Sequence, residues 1–346
     1  MFFSSVTALF ELDYAPMWIE SSAPTRVDLA GGTIDIWPLY LFHRNAVTVN
    51  IAIEVPARCR VSPRDDGKFV LRSLDTEETV ELDRFDHLWS TAKLPLLAKL
   101  IYFFAPRTGV EIETNSSAPA GSGLAGSSAL NIAICGALNE LTGARYSVEE
   151  LIQIAKNVEA QVISVPTGDQ DYYPAAYGGV QAIHLSAGGV RREVLDTDIV
   201  ALSQRLLLIY SGRQRNSGIN NWEVMKRHID GDPKIFRAFE GIIAASTRVR
   251  SALCENRFDL LDEALDFEWE NRRILSDGIS TPELEMAIAR ARSFGARSAK
   301  VCGAGGGGCV LMTVPAGRRS EIQNKLNEAG VQVIDFRIAS RGVELG

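Results

Sequence analysis

Glycines and small hydroxyls gather in this chain where an anion could be held. Ten of its 29 glycines form three clusters: Gly31-Gly32, Gly121/Gly123/Gly126, and Gly303 followed by Gly305 to Gly308. The middle cluster sits in Ala118-Pro-Ala-Gly-Ser-Gly-Leu-Ala-Gly-Ser-Ser-Ala129. As G-x-G-x-x-G it matches a dinucleotide fingerprint in form only. That fingerprint follows its strand at once and expects an acid about 20 residues on at the end of the next strand. Here Asn115 to Ala120 intervene, and Glu140 falls in a helical stretch. As G-x-x-x-x-G it lacks the P-loop lysine, because Ser127 stands in that place. A third reading is a glycine turn whose backbone N–H groups meet a triphosphate at a helix N-terminus, with Ser127 and Ser128 alongside. The plain alternative is a flexible turn with Ser127 as an ordinary N-cap.

The elements around this loop must position it. Before it the chain reads as strands at Ala46 to Val55, Arg58 to Ser62, Phe69 to Leu71 and Gly109 to Thr114. After it, Ala129 to Leu141 is apolar nearly all round and stops at Gly143, as a buried helix would. A second helix starts at the Ser147/Glu150 capping box, with Leu151, Ala155, Val158 and Val162 facing inward. Glu159 lies about 40° from that buried direction at roughly 100° per residue, so it needs a cation, a metal or another partner.

The second half reads as strands VQAIHL, RREVLD and RLLLIYS, then helices from Lys234 to Leu253 and Phe258 to Leu275. A helix from Pro282 to Phe294, strands SAKVC and CVLMTV around the third glycine cluster, a helix Gly317 to Glu328 and a strand VQVIDFRI complete the chain. From RLLLIYS onward this is β-α-β-β-α-β with two inserted helices, a ferredoxin-like α+β order. The boundary is expected near Thr197, giving an N-terminal domain 1–196 and a C-terminal domain 197–346.

Composition narrows the partners. With 346 residues, 36 Lys+Arg, 43 Asp+Glu and a net charge of −7, the chain carries no basic footprint for nucleic acid. No apolar run reaches the 18 or so residues of a membrane span. The N-terminal apolar patch is interrupted by Glu11 and Asp13 and has no cationic start, so no signal peptide is expected. Cys59, Cys135, Cys254, Cys302 and Cys309 are scattered without metal spacing, which points to a reducing, cytoplasmic setting and no structural zinc.

Three separated motifs give the chain its resemblance to the GHMP small-molecule kinases, named for galactokinase, homoserine kinase, mevalonate kinase and phosphomevalonate kinase. Motif one resembles Ala23 to Asp35, motif two the P-x-G-x-G-L-G-S-S-A loop at Pro119 to Ala129, and motif three the K-x-x-G-A-G-G-G-G loop at Lys300 to Gly308. The resemblance implies an N-terminal domain like that of ribosomal protein S5, a C-terminal ferredoxin-like domain, and ATP, Mg2+ and acceptor in the cleft between them. It assigns nucleotide binding to Pro119, Gly121, Ser122, Gly123, Leu124, Ala125, Gly126, Ser127, Ser128, Gly305 and Gly306. Ser128 and Glu159 resemble the magnesium-facing hydroxyl and acid.

By the same resemblance Asp171, in Pro166-Thr-Gly-Asp-Gln-Asp-Tyr-Tyr, takes the catalytic position, twelve residues after Glu159, and Arg26 resembles its cationic partner. Motif one, Ala30-Gly-Gly-Thr-Ile-Asp35, is closest to the A-G-G-G-T-D of heptose 7-phosphate kinases. Thr33 and Ile34 depart from that pattern. Thr33, Asp35, Gly168, Tyr172, Arg213 and Arg215 are the expected acceptor contacts. A carboxylate at Asp35 favours a polyol over an isoprenoid precursor such as mevalonate. The expected activity is phosphoryl transfer to a sugar or sugar phosphate, such as the anomeric hydroxyl of a heptose 7-phosphate. Fucose, galactose and uronic acids are alternative acceptors, and a silent nucleotide or sugar sensor is an alternative of another class.

Overall fold

The computed structural model describes residues 18–212 and 217–346. Arg213 and Arg215 therefore lie outside the described residues. A first sheet runs, by neighbour, Glu344–Leu345, Ile19–Ala30, Val47–Arg64, Gly109–Ser116, Phe69–Ser73, Glu78–Leu82. On the edge away from Ile19–Ala30, Val47–Arg64 serves two partners: residues 57–64 pair with Gly109–Ser116, and residues 47–51 pair with Val180–Ser186. The strand Ile19–Ala30 is buried almost throughout its second half, so it carries no polar/apolar alternation to betray it in the sequence.

The second sheet has the order Gln332–Ile334, Leu206–Tyr210, Cys309–Thr313, Ala299–Val301, all antiparallel. In chain order this is 4-1-3-2, as expected of a ferredoxin-like split β-α-β. The expected strand VQVIDFRI is ordered as strand only over its first turn of pairing. Beyond Ile334 its backbone switches to the first sheet, with Glu54 N–H donating to Arg337 O and Ala339 N–H to Ala52 O, both at 2.9 Å. The chain end thus stitches the two halves together.

Local signals account for the helices. Val148–Ile163 begins at Ser147 with both capping-box bonds present. Pro233–Cys254 and Pro282–Ser293 start with proline after Asp232 and Thr281, whose side chains accept from Lys234 N–H and Leu284 N–H. The apolar run at 94–105 forms the helix Pro95–Phe104. Two differences from the sequence reading stand out. Phe258 to Leu275 divides into a 3-10 turn, Phe258–Leu260, and a helix, Leu261–Arg272. A further helix, Ser217–Ile229, occupies a stretch that reads as loop because Ser, Gly and Asn crowd its start. Among the described residues no helix is long and apolar enough to cross a membrane.

Candidate active site

The second glycine cluster is a turn leading into the helix Gly126–Thr142. Gly121, Gly123 and Ala125 all have positive φ, and Ala125 occupies the N-cap without a side-chain bond. The ordinary-cap reading of Ser127 therefore fails, and the first N–H groups of the helix have no side-chain cap to accept from them. Gly123 must be glycine for two reasons: its φ is +83°, and a Cβ would stand 2.5 Å from Cys302 O. Motif three thus backs directly onto motif two, and Cys309 N–H donates to Ser122 O at 2.7 Å.

This loop walls a cleft of about 590 Å³ that contains Pro119, Gly121, Ser122, Gly123, Ala125, Gly126, Ser127 and Ser128. Leu124 is buried beneath it, its carbonyl accepting from Arg26 N–H at 3.0 Å. Gly305 and Gly306 do not line the cleft; Gly306 N–H donates to Ile279 O at 2.8 Å. The opposite wall, unanticipated from sequence, is Ala92 and Leu94 to Leu97 with Asp75 and Thr76. Its signal in the sequence is the apolar run opened by Pro95, which gives the cleft an apolar stretch of lining.

A second, smaller cavity of about 100 Å³ adjoins the first, lined by Arg26, Thr33, Asp35, Gly168, Gln170 and Asn221 among others. Ser128, Glu159 and Asp171 line both cavities. At this junction Arg26 is buried and its Nε and Nη2 donate to Asp171 Oδ1 at 2.9 and 2.6 Å. Arg26 Nη1 also donates to Gly123 O at 2.5 Å, tying the partner of Asp171 to the glycine loop. Burial opposes the guanidinium charge, and the nearby Asp171 and Asp28 carboxylates more than offset it, holding its pKa above the usual value.

Glu159 is buried as its helical position requires, and Ser128 Oγ and Tyr172 OH donate to its Oε2 at 3.0 and 2.8 Å. Burial raises its pKa, partly offset by hydrogen bonds from Ser127, Tyr172 and Ser128. One hydroxyl and one carboxylate, facing a cleft with room for phosphate oxygens, form an oxygen donor set that suits magnesium. Tyr172 is engaged with Glu159 and lines neither cavity.

Asp35 is buried, accepts from Gln170 N–H at 2.9 Å, and lies so close to Gly168 that a side chain there would collide with its carboxyl. Burial, then the negative charges of Asp171 and Asp169, push its pKa up to about 7, against the Gln170 hydrogen bond. Asp169 is taken by Lys156, whose Nζ donates to it at 2.7 Å, and is not available as a competing base. The sequence reading missed Gln170 and Asn221; both are uncharged and carry no spacing signal.

Residues 88–179 match the GHMP kinases N terminal domain and residues 249–332 the GHMP kinases C terminal family. A D-glycero-alpha-D-manno-heptose 7-phosphate kinase of Campylobacter jejuni subsp. jejuni serotype O:2 is 28% identical over 338 residues, spanning 94% of this chain and 98% of that one. A mevalonate kinase of Archaeoglobus fulgidus is 29% identical over 293 residues, spanning 84% and 90% respectively. The crystal structure of a D-glycero-D-manno-heptose 1-phosphate kinase from Bacteriodes thetaiotaomicron shares the fold, with a TM-score of 0.78 at 21% identity over 95% of this chain and 98% of that one.

Proposed function

This chain belongs to the GHMP kinases and is a phosphotransferase, and from that premise we propose that it uses ATP and Mg2+ to phosphorylate a sugar hydroxyl, with the anomeric hydroxyl of a heptose 7-phosphate as the leading acceptor. The observation that carries this reading is the junction of the two cavities, where Asp171, Ser128 and Glu159 belong to both. A triphosphate in the larger cleft would direct its γ-phosphoryl group toward an acceptor in the smaller one.

The acceptor oxygen attacks the γ-phosphorus, the bond to the β–γ bridging oxygen breaks, and the hydroxyl proton leaves toward Asp171. Asp171 lines the smaller cavity, where an acceptor hydroxyl would meet it, and Arg26 fixes its carboxylate and would lend positive charge beside the transferring group. The uncapped backbone N–H groups at the start of the helix Gly126–Thr142 would hold the phosphates. A magnesium ion, held by Ser128 and Glu159, would neutralise β- and γ-phosphate charge.

Asp35 and Gln170 supply the polar recognition that a polyol requires. Three carboxylates, Asp35, Glu159 and Asp171, line the acceptor cavity, and they disfavour a substrate that would bring its own carboxylate there, such as mevalonate or a uronic acid. Arg213 and Arg215 are the proposed clasp for the distal phosphate. A cytosolic setting accords with cysteines that are not joined in disulfides among the described residues.

The test is a panel of heptose 7-phosphates, fucose, galactose, uronic acids and mevalonate with magnesium-ATP, read as ADP release. The reading expects the heptose phosphate to give the highest kcat/KM. Turnover of another acceptor alone would transfer the assignment to it, and tight ligand binding without turnover would make the protein a sensor.

A further inference from the structure

Beneath the site lie four charged side chains that the reaction does not use. Asp28, Glu268, Arg272 and Lys300 are each at most 1% exposed. Lys300 Nζ pairs with Asp28 Oδ1, Arg272 Nε donates to Glu268 Oε1 at 2.9 Å, and Lys300 and Glu268 stand 3.9 Å apart. Burial would push the Asp28 pKa up, but Lys300, Arg272 and Arg26 together pull it below the usual carboxylate value. A buried ionic set of this kind is a poor source of stability, because apolar side chains of the same volume would pack as well or better. Its distinctive product is geometry.

That geometry converges on one guanidinium. Arg272 Nη2 donates to Gly32 O at 3.1 Å, and its Nη1 reaches Thr33 Oγ1 and Gly303 O, both at 3.4 Å. Gly32 and Thr33 belong to motif one and precede Asp35, whereas Gly303 belongs to motif three and follows Cys302, on which Gly123 of the phosphate loop rests. Thr33 and Gly303 both line the acceptor cavity. A planar fork reaches these separated acceptors in fixed directions from several nitrogens, whereas a lysine ammonium at the same place would donate from a single point.

We propose that Arg272 is a positioning residue that clamps motif one to motif three, so that acceptor pocket and phosphate loop are set in register by a single side chain. The Glu268, Lys300 and Asp28 groups hold that fork in place. Its acceptor half rests on the sugar-kinase reading; its nucleotide half does not.

The test measures the affinity of magnesium with β,γ-imido-ATP by calorimetry, and the KM for heptose 7-phosphate, in two variants. Arg272→Lys keeps the charge opposite Glu268 but loses the fork, and the nucleotide dissociation constant and the KM should both rise about tenfold, the cost of a charge-assisted buried hydrogen bond. Glu268→Gln/Arg272→Met removes both charges together, and should melt near the native temperature while still binding both ligands about tenfold more weakly. Affinities within twofold of the native protein in Arg272→Lys, or restored affinities in the neutral double variant, would overturn the clamp and leave a merely structural ion pair. If the native protein turns over no heptose 7-phosphate, the sugar assignment fails while the nucleotide affinities still judge Arg272.

Discussion

Asp171 is held by two hydrogen bonds from a buried arginine and stands where two cavities meet. Replacing it with Asn keeps the shape and removes the proton acceptor. Asp171→Asn should lower turnover by about 10²- to 10⁴-fold with ATP affinity nearly unchanged, as single-turnover kinetics and calorimetry would register. Near-native turnover would remove Asp171 from the mechanism. Asp35 offers a second residue-scale prediction. Its pKa of about 7 in the folded protein lies above the unfolded value of about 3.9. The folded state therefore binds more protons between those values, and stability falls as pH rises from about 4 to 7. Asp35→Asn should relieve this cost above pH 7, stabilising by an amount of order 2–4 kcal/mol. Melting curves should show the variant above the native protein at pH 8, with the gap shrinking steadily as the pH falls towards 4; a gap that stays constant over that range would mean that Asp35 stays ionised throughout.

At the scale of elements, the phosphate loop depends on backbone shape. Gly123→Val would require a β-branched residue at φ +83° with its Cβ against Cys302 O, so motifs two and three must part. Nucleotide affinity should fall at least tenfold while the far-ultraviolet circular dichroism stays native; unchanged affinity would mean the loop holds something else. The legibility of the elements followed the same physics. The capping box at Ser147 and the inward stripe that carries Glu159 are readable because helix periodicity and capping are local. The strand Ile19–Ala30 and the early exit of VQVIDFRI are not, because one is buried on both faces and the other divides its hydrogen bonds between two sheets. Gln170, Asn221 and the Arg272 clamp arise from contacts across hundreds of residues, for which a single sequence has no spacing rule.

The whole molecule places chemistry at a seam. The first sheet carries motif one, the second carries motif three on either side of its glycine loop, and the chain end crosses back to bind them. A net charge of −7 would be compatible with a bound triphosphate, because the uncapped helix N–H groups at the cleft and Arg26 beside the junction of the two cavities would offset its charge locally. The Campylobacter jejuni heptose 7-phosphate kinase spans nearly the same length, which supports reading both halves as one catalytic unit. The most direct test of that unit is phosphorus NMR of the full chain with magnesium-ATP and D-glycero-D-manno-heptose 7-phosphate. The account predicts that the γ-phosphate signal is replaced by a second sugar phosphate coupled to the anomeric proton, in step with ADP. ATP left intact, or γ-phosphate released only as inorganic phosphate, would contradict it.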